Sequence, residues 1–544
     1  MITNPILPGF NGDPSIVRVG DDYYIATSSF EWFPGVPIYH SRDLAHWRLL
    51  DNPLNTPEYL NLCGERASFG VWAPALSYDA VKKRFYLLYS NVHSKNEWFF
   101  DVDNFIIWTD DIQSCVWSKP VYINSSGFDA SLFHDDDGRK WIMNKDRDYR
   151  PKNIDNRGII IQEYDMDGHR LVGDPVEISR GATSRCFVEG PHIYKRHGYY
   201  YLITAEGGTG YGHCVAVSRS RSITGPYEAS PYNPLVTSQP EPFCGSETES
   251  FLMEHQYNPK ADLQKAGHGS LVETQNGEWY VAHLCGRPLM PRLRCILGRE
   301  TALQKITWTQ DEWPRMADGS NLAKLEVPSP ALPSQPFPEE NPRCTFDGPA
   351  LPKYFYSARN PITEDWAAID PQRHVLRLRG RESLTSYYYP SIIARKVTAF
   401  HTQTTVKLLF KPRSFHHLAG VTCFYDANYH YCAYKSCNDN GDPVLKVASY
   451  IANELTICDT EVAVPLDAPV WLRALTDDDK LRFQYSLNGE EFTGLGPALD
   501  LTYLSDEAGP YGKFTGTYMG MFAQDSDRKA VWAEFGWFEY RVLS

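Results

Sequence analysis

Residues 12–27 read GDPSIVRVGDDYYIAT, an extended segment, a polar turn and an aromatic-rich hairpin partner, and the same grammar returns four more times. The later copies are WAPALSYDAVKKRFYLLY (72–89), FDASLFHDDDGRKWIMN (128–144), VEGPHIYKRHGYYYLIT (188–204) and HGSLVETQNGEWYVAH (268–283). Tyr24, Tyr86, Trp141, Tyr201 and Tyr280 fall at matching places, 62, 55, 60 and 79 residues apart. Each interval has room for about four strands of ordinary length, and four-stranded sheets repeated radially make a propeller. The pattern predicts an all-β chain that opens with a five-bladed β-propeller. The repeats start on Asp13, Trp72, Asp129, Glu189 and His268. Equivalent inner-strand positions converge on a propeller's axis, so these five side chains should face one another.

At 544 residues the chain exceeds one ordinary domain. Its segment 327–342, VPSPALPSQPFPEENP, carries six prolines in 16 residues. Proline fixes φ and removes a donor, so this stretch reads as a semi-rigid connector. It divides a propeller over 1–326 from a region over 343–544 with runs such as TTVKLLF, YHYCAYKS and LRFQYSLNG. Those runs predict a two-sheet β-sandwich.

A net charge of −14 argues against a nucleic-acid partner. The opening MITNPILPGFNGDPS lacks a basic, then apolar, secretory pattern, and no run of about 18 apolar residues suggests a membrane partner. A cytoplasmic location is the expectation. The 12 cysteines are scattered without CxxC pairs, which predicts free thiols rather than a disulfide framework.

Acid–base hydrolysis of a glycosidic bond needs one ionised carboxylate to activate water and one protonated carboxyl for the leaving oxygen. Asp13 lies in NGDPSI, where Pro14 holds it extended and Gly12 permits close approach of another chain, a setting for the base. Glu189 is flanked by Phe187, Val188 and Ile193, an apolar setting that raises a carboxyl's pKa. Asp129, in GFDASLF, is a third acid able to tune Glu189 or hold a substrate hydroxyl. Taken singly, each acid reads as readily as a turn former or a solvated side chain. Three acids at five equivalent starts read as a polar site, because packing alone would select apolar or small residues. His268 has three readings: a neutral hydrogen-bonding residue, a ligand for a water-held divalent ion, or a charged partner of the carboxylates. Trp72 and Phe30 are candidate walls for a sugar's C–H face, although Phe30 taken by itself reads as core. Arg287, in HLCGRPL, falls near the mouth, where it reads as a hydroxyl-binding guanidinium or as a rim salt bridge.

The stretch 4–44, NPILPGFNGDPSIVRVGDDYYIATSSFEWFPGVPIYHSRDL, resembles the opening of glycoside hydrolase family 43, in its branch of two-domain β-xylosidases. WAPALSY, GFDASLFHDDDGRKW, VEGPHIYKRHGYYYL, AEGGTGYGH, GHGSLVETQNGEWY and LGRETALQKITW are similar to its later segments, in the same order. The resemblance implies a five-bladed propeller followed by a β-sandwich of jelly-roll or concanavalin-like type, and inverting release of D-xylose from non-reducing ends of β-1,4-xylo-oligosaccharides. It implies α-L-arabinofuranosidase activity as a companion in the same pocket. On matching positions it implies Asp13 as general base, Glu189 as general acid and Asp129 as auxiliary acid. Phe30, Trp72, Thr209, His268 and Arg287 match pocket positions, and Phe514, in FTGTYMGMFAQD, matches the residue that a sandwich loop brings to close the pocket. The resemblance implies no cofactor for the chemistry, allows a calcium or magnesium ion near His268, and implies a homo-oligomer.

Two alternatives stand beside it. A retaining β-fructosidase-like hydrolase would show NDPNG, RDP and EC elements, which read here as NGDPSI, RDY and VEGP. A non-catalytic carbohydrate-binding propeller has no need of a matched acid and base. Gly12 departs from the proline common before the DPS run, and MNKDRDYRPKN (143–153) matches no family pattern at the expected leaving-group side.

Overall fold

The computed structural model describes residues 1–96, 99–150, 157–241, 257–509 and 513–543. Helix is confined, among the described residues, to the 3-10 turns Ile112–Ser114 and Leu501–Tyr503. Five antiparallel sheets of the predicted kind follow in sequence. The first is Ser15–Val19, Asp22–Ala26, Ile38–Ser41 and Arg48–Asp51 in hydrogen-bonded order. The inner strands of blades two to five are Gly70–Asp79, Gly127–His134, Glu189–Arg196 and Gln264–Glu273. Each packs against the next, and the fifth against the first, so the ring closes.

Side-chain hydroxyls rivet neighbouring blades. The Leu76 N–H donates to Ser15 Oγ at 2.9 Å, Ser131 Oγ donates to the Pro191 carbonyl at 2.5 Å, and the Ile16 N–H donates to Ser270 Oγ at 3.0 Å. The N-terminal arm adds a second closure: Ile2–Thr3 pairs with Glu326–Val327, and Leu7 bridges to Thr301.

Each inner strand enters through a left-handed residue: Asp13 (φ 57°), Ala73 (33°), Asp129 (58°), Gly190 (57°) and His268 (51°). In blades two to five the pairing register slips there, as at a β-bulge, which re-aims side chains. This corrects the equivalence read from sequence. Trp72 and Glu189 stand one residue before the left-handed position, which Ala73 and Gly190 occupy. Glycine is required at 190, because a Cβ there would lie 2.9 Å from His268 Cε1.

Beyond the connector, an eight-stranded and a seven-stranded sheet build the sandwich. Its strands show the expected period of two; Val470–Asp477 alternates buried and half-buried residues along most of its length. Val406, Leu472, Phe483 and Phe535 of one sheet meet Val421, Tyr431, Leu445 and Met521 of the other in one core. The sandwich docks on blade one, where Trp32 stacks on Tyr518 at 3.6 Å between ring centres and Trp32–Phe33 pairs with Ser357–Ala358. Among the described residues ten cysteines are free, but Cys186 is disulfide-bonded, a pairing that cysteine spacing does not signal. No helix among the described residues is long and apolar enough to cross a membrane.

Candidate active site

Asp13 is 5 % exposed and held from three sides. Ser28 Oγ donates to its Oδ2 at 2.6 Å. Arg299 spans the carboxylate, Nη1 to Oδ1 at 3.2 Å and Nη2 to Oδ2 at 3.3 Å. His268 Nδ1 lies 3.8 Å from Oδ1. Burial alone pushes the Asp13 carboxyl up, but Arg299, His268 and the Ser28 hydrogen bond outweigh it and hold the carboxyl below its ordinary range. Burial also drives the His268 imidazole below its usual value, against the pull of Asp13. A neutral ring carries no charge, so at neutral pH Arg299 and Ser28 do the holding. His192 and His213 are likewise pushed down by burial, each to about 3.

Across the channel, the Gly190 N–H donates to Asp129 Oδ2 at 3.0 Å, and the Asp129 N–H donates to Ser90 Oγ at 2.9 Å. Burial, then the charges of Glu189 and Asp13, push the Asp129 carboxyl well above its ordinary range; the Gly190 hydrogen bond and Arg299 oppose this and lose. Two acids that repel this strongly in a dry site do not both ionise. The Asp129–Glu189 pair therefore keeps a proton at a pH where Asp13 has lost its own. One ionised carboxylate facing one protonated pair can divide the work of base and acid.

Phe30, Trp72 and Phe514 form one aromatic wall, with ring centres 5.8 Å (Phe30–Trp72), 5.9 Å (Phe30–Phe514) and 5.7 Å (Trp72–Phe514) apart. Arg299 touches this wall too, its guanidinium carbon 5.2 Å from the centre of Phe30 and 4.9 Å from that of Phe514. Ser68 joins the three rings to a common support. Its Oγ accepts the Phe514 N–H at 3.0 Å, its carbonyl accepts Trp72 Nε1–H at 3.1 Å, and its N–H donates to Glu31 Oε2 at 2.9 Å. Glu31 follows Phe30 and is 1 % exposed; burial pushes its carboxyl up to about 7 against the pull of Arg359 from the sandwich.

The structure brings Asp13, Asp129, Glu189 and His268 together, with Phe30, Trp72 and Phe514 beside them. Thr209 lines a small adjoining cavity with Arg299, Lys265 and Phe514. Arg287 is a correction. Its fork is committed to Glu300, Nε to Oε2 at 2.6 Å and Nη2 to Oε1 at 2.8 Å, and its guanidinium carbon lies 5.2 Å from the centre of Phe400. The guanidinium that meets the acids is Arg299, twelve residues on in LGRET. Both arginines follow a glycine near the last blade's hairpin, so spacing could not separate them. Ser28, Ser68 and Glu31 were missed as well.

His268 has no companion protein ligands for a divalent ion among the described residues, so an ion there would be held by this one ring and water. That ring shares Asp13 with the Arg299 cation, and the groupings with three candidate ligands among the described residues lie elsewhere, at Cys295–Asp506–Glu507 and His401–Asp477–Asp478. In the unmatched stretch 143–153, residues 151–153 lie outside the described residues; within it Arg147 sits over Phe100 at 5.0 Å, and Phe100 abuts Trp72 at 5.5 Å.

The model of glycosyl hydrolases family 43 matches residues 2–314. The chain belongs to glycoside hydrolase family 43. Residues 343–541 of this family 43 enzyme match a second model, the β-xylosidase C-terminal concanavalin A-like domain. The enzyme is 43 % identical to a protein of Vibrio sp. described as a xylan 1,3-β-xylosidase, over 99 % of each chain. It is 42 % identical to a xylosidase/arabinosidase of Humicola insolens, over 100 % of this chain and 98 % of the other. A solved structure described as a xylan β-1,4-xylosidase from Bacillus halodurans superposes with a TM-score of 0.93 at 44 % identity, covering 99 % of this chain and 100 % of that one.

Proposed function

We propose that this glycoside hydrolase is an inverting, exo-acting β-D-xylosidase that releases D-xylose from the non-reducing ends of β-1,4-xylo-oligosaccharides. The observation that carries the reading is the division of charge: Arg299 and Ser28 favour an ionised Asp13, while the Asp129–Glu189 pair favours a retained proton. Asp13 takes a proton from a water that attacks the anomeric carbon. Glu189 gives a proton to the departing oxygen as that bond breaks, which balances the step and leaves inverted xylose. Asp129 keeps Glu189 protonated until that moment and orients the sugar. Phe30 and Trp72 pack against the C–H face, and Phe514 closes the pocket over one terminal sugar, which makes the enzyme exo-acting. In this reading residues 1–326 carry the acids, 327–342 connect, and 343–544 supply Phe514.

The chemistry needs no cofactor, and no step passes through a metal. Exhaustive chelation should leave the rate unchanged. Proton NMR of early turnover on a β-xyloside should show α-xylose first; β-xylose as the first product would overturn the mechanism. Asp13→Asn and Glu189→Gln should each lower kcat by about 10²–10⁴, with activated aryl xylosides partly rescuing only the second.

Two names among the relatives, xylosidase/arabinosidase and non-reducing end α-L-arabinofuranosidase, favour a second activity in the same pocket. Parallel kinetics on nitrophenyl xyloside and arabinofuranoside, and on β-1,3- and β-1,4-xylobiose, rank the substrates.

A further inference from the structure

A cavity of about 510 Å³ opens away from the acids, where blade one, the proline-rich connector and the sandwich meet. That volume lies within the roughly 300–1,000 Å³ of small-molecule sites. Lys396 is 8 % exposed and its Nζ donates to Asn11 Oδ1 at 2.7 Å; burial pulls its ammonium down to about 7, so it is only partly charged at neutral pH. Arg395 forms a wall, its guanidinium carbon 4.4 Å from the centre of Tyr354 and 4.5 Å from that of Tyr540. Arg48 stands at the rim, 4.6 Å over Phe337 of the connector.

These cations are under-compensated. Arg395 Nε is buried with no hydrogen-bond partner. Its acidic neighbour Glu340 lies 3.9 Å away and is 59 % exposed. Two guanidinium groups, Arg48 and Arg395, against one lining carboxylate reverse the sign of a chain whose net charge is −14. The remaining surface is mostly apolar and aromatic, with Leu7, Trp47 and Tyr354 among its lining and Asn11, His46 and Thr398 as its polar members. Stacked guanidinium groups keep their planes fixed, and a planar fork suits an oxyanion better than a lone hydroxyl.

We propose that this crevice binds a small anionic carbohydrate, a monosaccharide-sized ring bearing a carboxylate or a phosphate. The charged group rests between Arg395 and Arg48, with Lys396 as a further hydrogen-bond donor, and the ring packs on Trp47 and Tyr354. The site is separate from the catalytic pocket but close to its scaffold: Asn11, which holds Lys396, also donates its N–H to the Arg299 carbonyl at 2.8 Å.

Calorimetry on the full chain at constant ionic strength tests this with four probes: glucuronate, glucose 6-phosphate, inorganic phosphate and glucose. At least one of the two sugar anions should bind saturably with a Kd of about 1 mM, and glucose and inorganic phosphate at least about tenfold more weakly. Whichever binds identifies the charged group. Saturating xylose should not displace it. Arg48→Ala and Arg395→Gln should each weaken binding about fivefold or more, while kcat/KM on nitrophenyl xyloside stays within about twofold of the parent. If Arg395→Gln fails to fold, Arg48→Ala carries the comparison. Equal binding of inorganic phosphate, displacement by xylose, unchanged affinity in the folded variants, or no saturable binding of either sugar anion would each overturn the proposal.

Discussion

Ser68 and Phe514 stand 446 positions apart in the chain, yet the Phe514 amide donates to the Ser68 hydroxyl at 3.0 Å. A loop of the sandwich is thereby fastened to the propeller at the rim of the aromatic wall. Ser68→Ala removes the acceptor and leaves the backbone strain at residue 68 (φ 63°) unchanged. A net hydrogen bond is worth about 1 kcal/mol, so kcat/KM should fall about fivefold, mostly through KM. Unfolding measured alongside should lose no more than about 1 kcal/mol, which separates a loosened wall from a damaged fold.

Arg299 and Arg287 allow a matched comparison, because each presents two nitrogens to one carboxylate. Lysine offers a point charge and cannot span both oxygens. Arg299→Lys should lower kcat at least about tenfold and shift the acid limb of the kcat/KM profile upward, since Asp13 loses its strongest hold. Arg287→Lys should instead cost about 1–3 kcal/mol of stability with little change in turnover per folded molecule. A reversed pattern would place the substrate at Glu300 rather than at Asp13.

Asp129→Asn should move the other limb. Activity needs a proton on the Asp129–Glu189 pair, so it declines as pH rises through the pair's upper pKa. Neutralising residue 129 removes like-charge repulsion and lets that proton leave sooner. The alkaline limb should shift down by about one unit or more, with the acid limb, set by Asp13, moving little. An unmoved alkaline limb would mean that Asp129 does not tune the acid.

Glu31 links pH to stability. Its folded value of about 7 exceeds the ordinary 4.5, so between those values the folded chain keeps a proton that the unfolded chain releases. Stability should therefore decline as pH rises from 4.5 to 7, by about 3 kcal/mol from this group, and flatten above. Glu31→Gln should remove that slope in a series of unfolding midpoints, leaving the Ser68 N–H an acceptor.

Much of this was legible in the sequence because propeller repeats are local. One hairpin can be recognised five times, and the acids at their starts meet once the ring closes. The errors came where spacing loses its meaning. The bulges displace Trp72 and Glu189 by one residue from the left-handed position, which counting from the aromatic partner cannot detect. Arg287 and Arg299 both follow a glycine near the last blade, and only the fold shows which one is spent on Glu300. Phe514 was legible from its segment, but its support on Glu31, Ser68 and Arg359 was not: those three come from separate segments, and none carries a chemical motif.

The base stands near one end of the propeller's chain, and the groups that face it, His268 and Arg299, stand near the other. A nascent polypeptide halted after its fourth blade would own all three acids and lack the cation that keeps the first of them charged. In the proposed mechanism the charge on the base therefore depends on a residue that only the end of the ring supplies, and the two ends must meet before Asp13 is held.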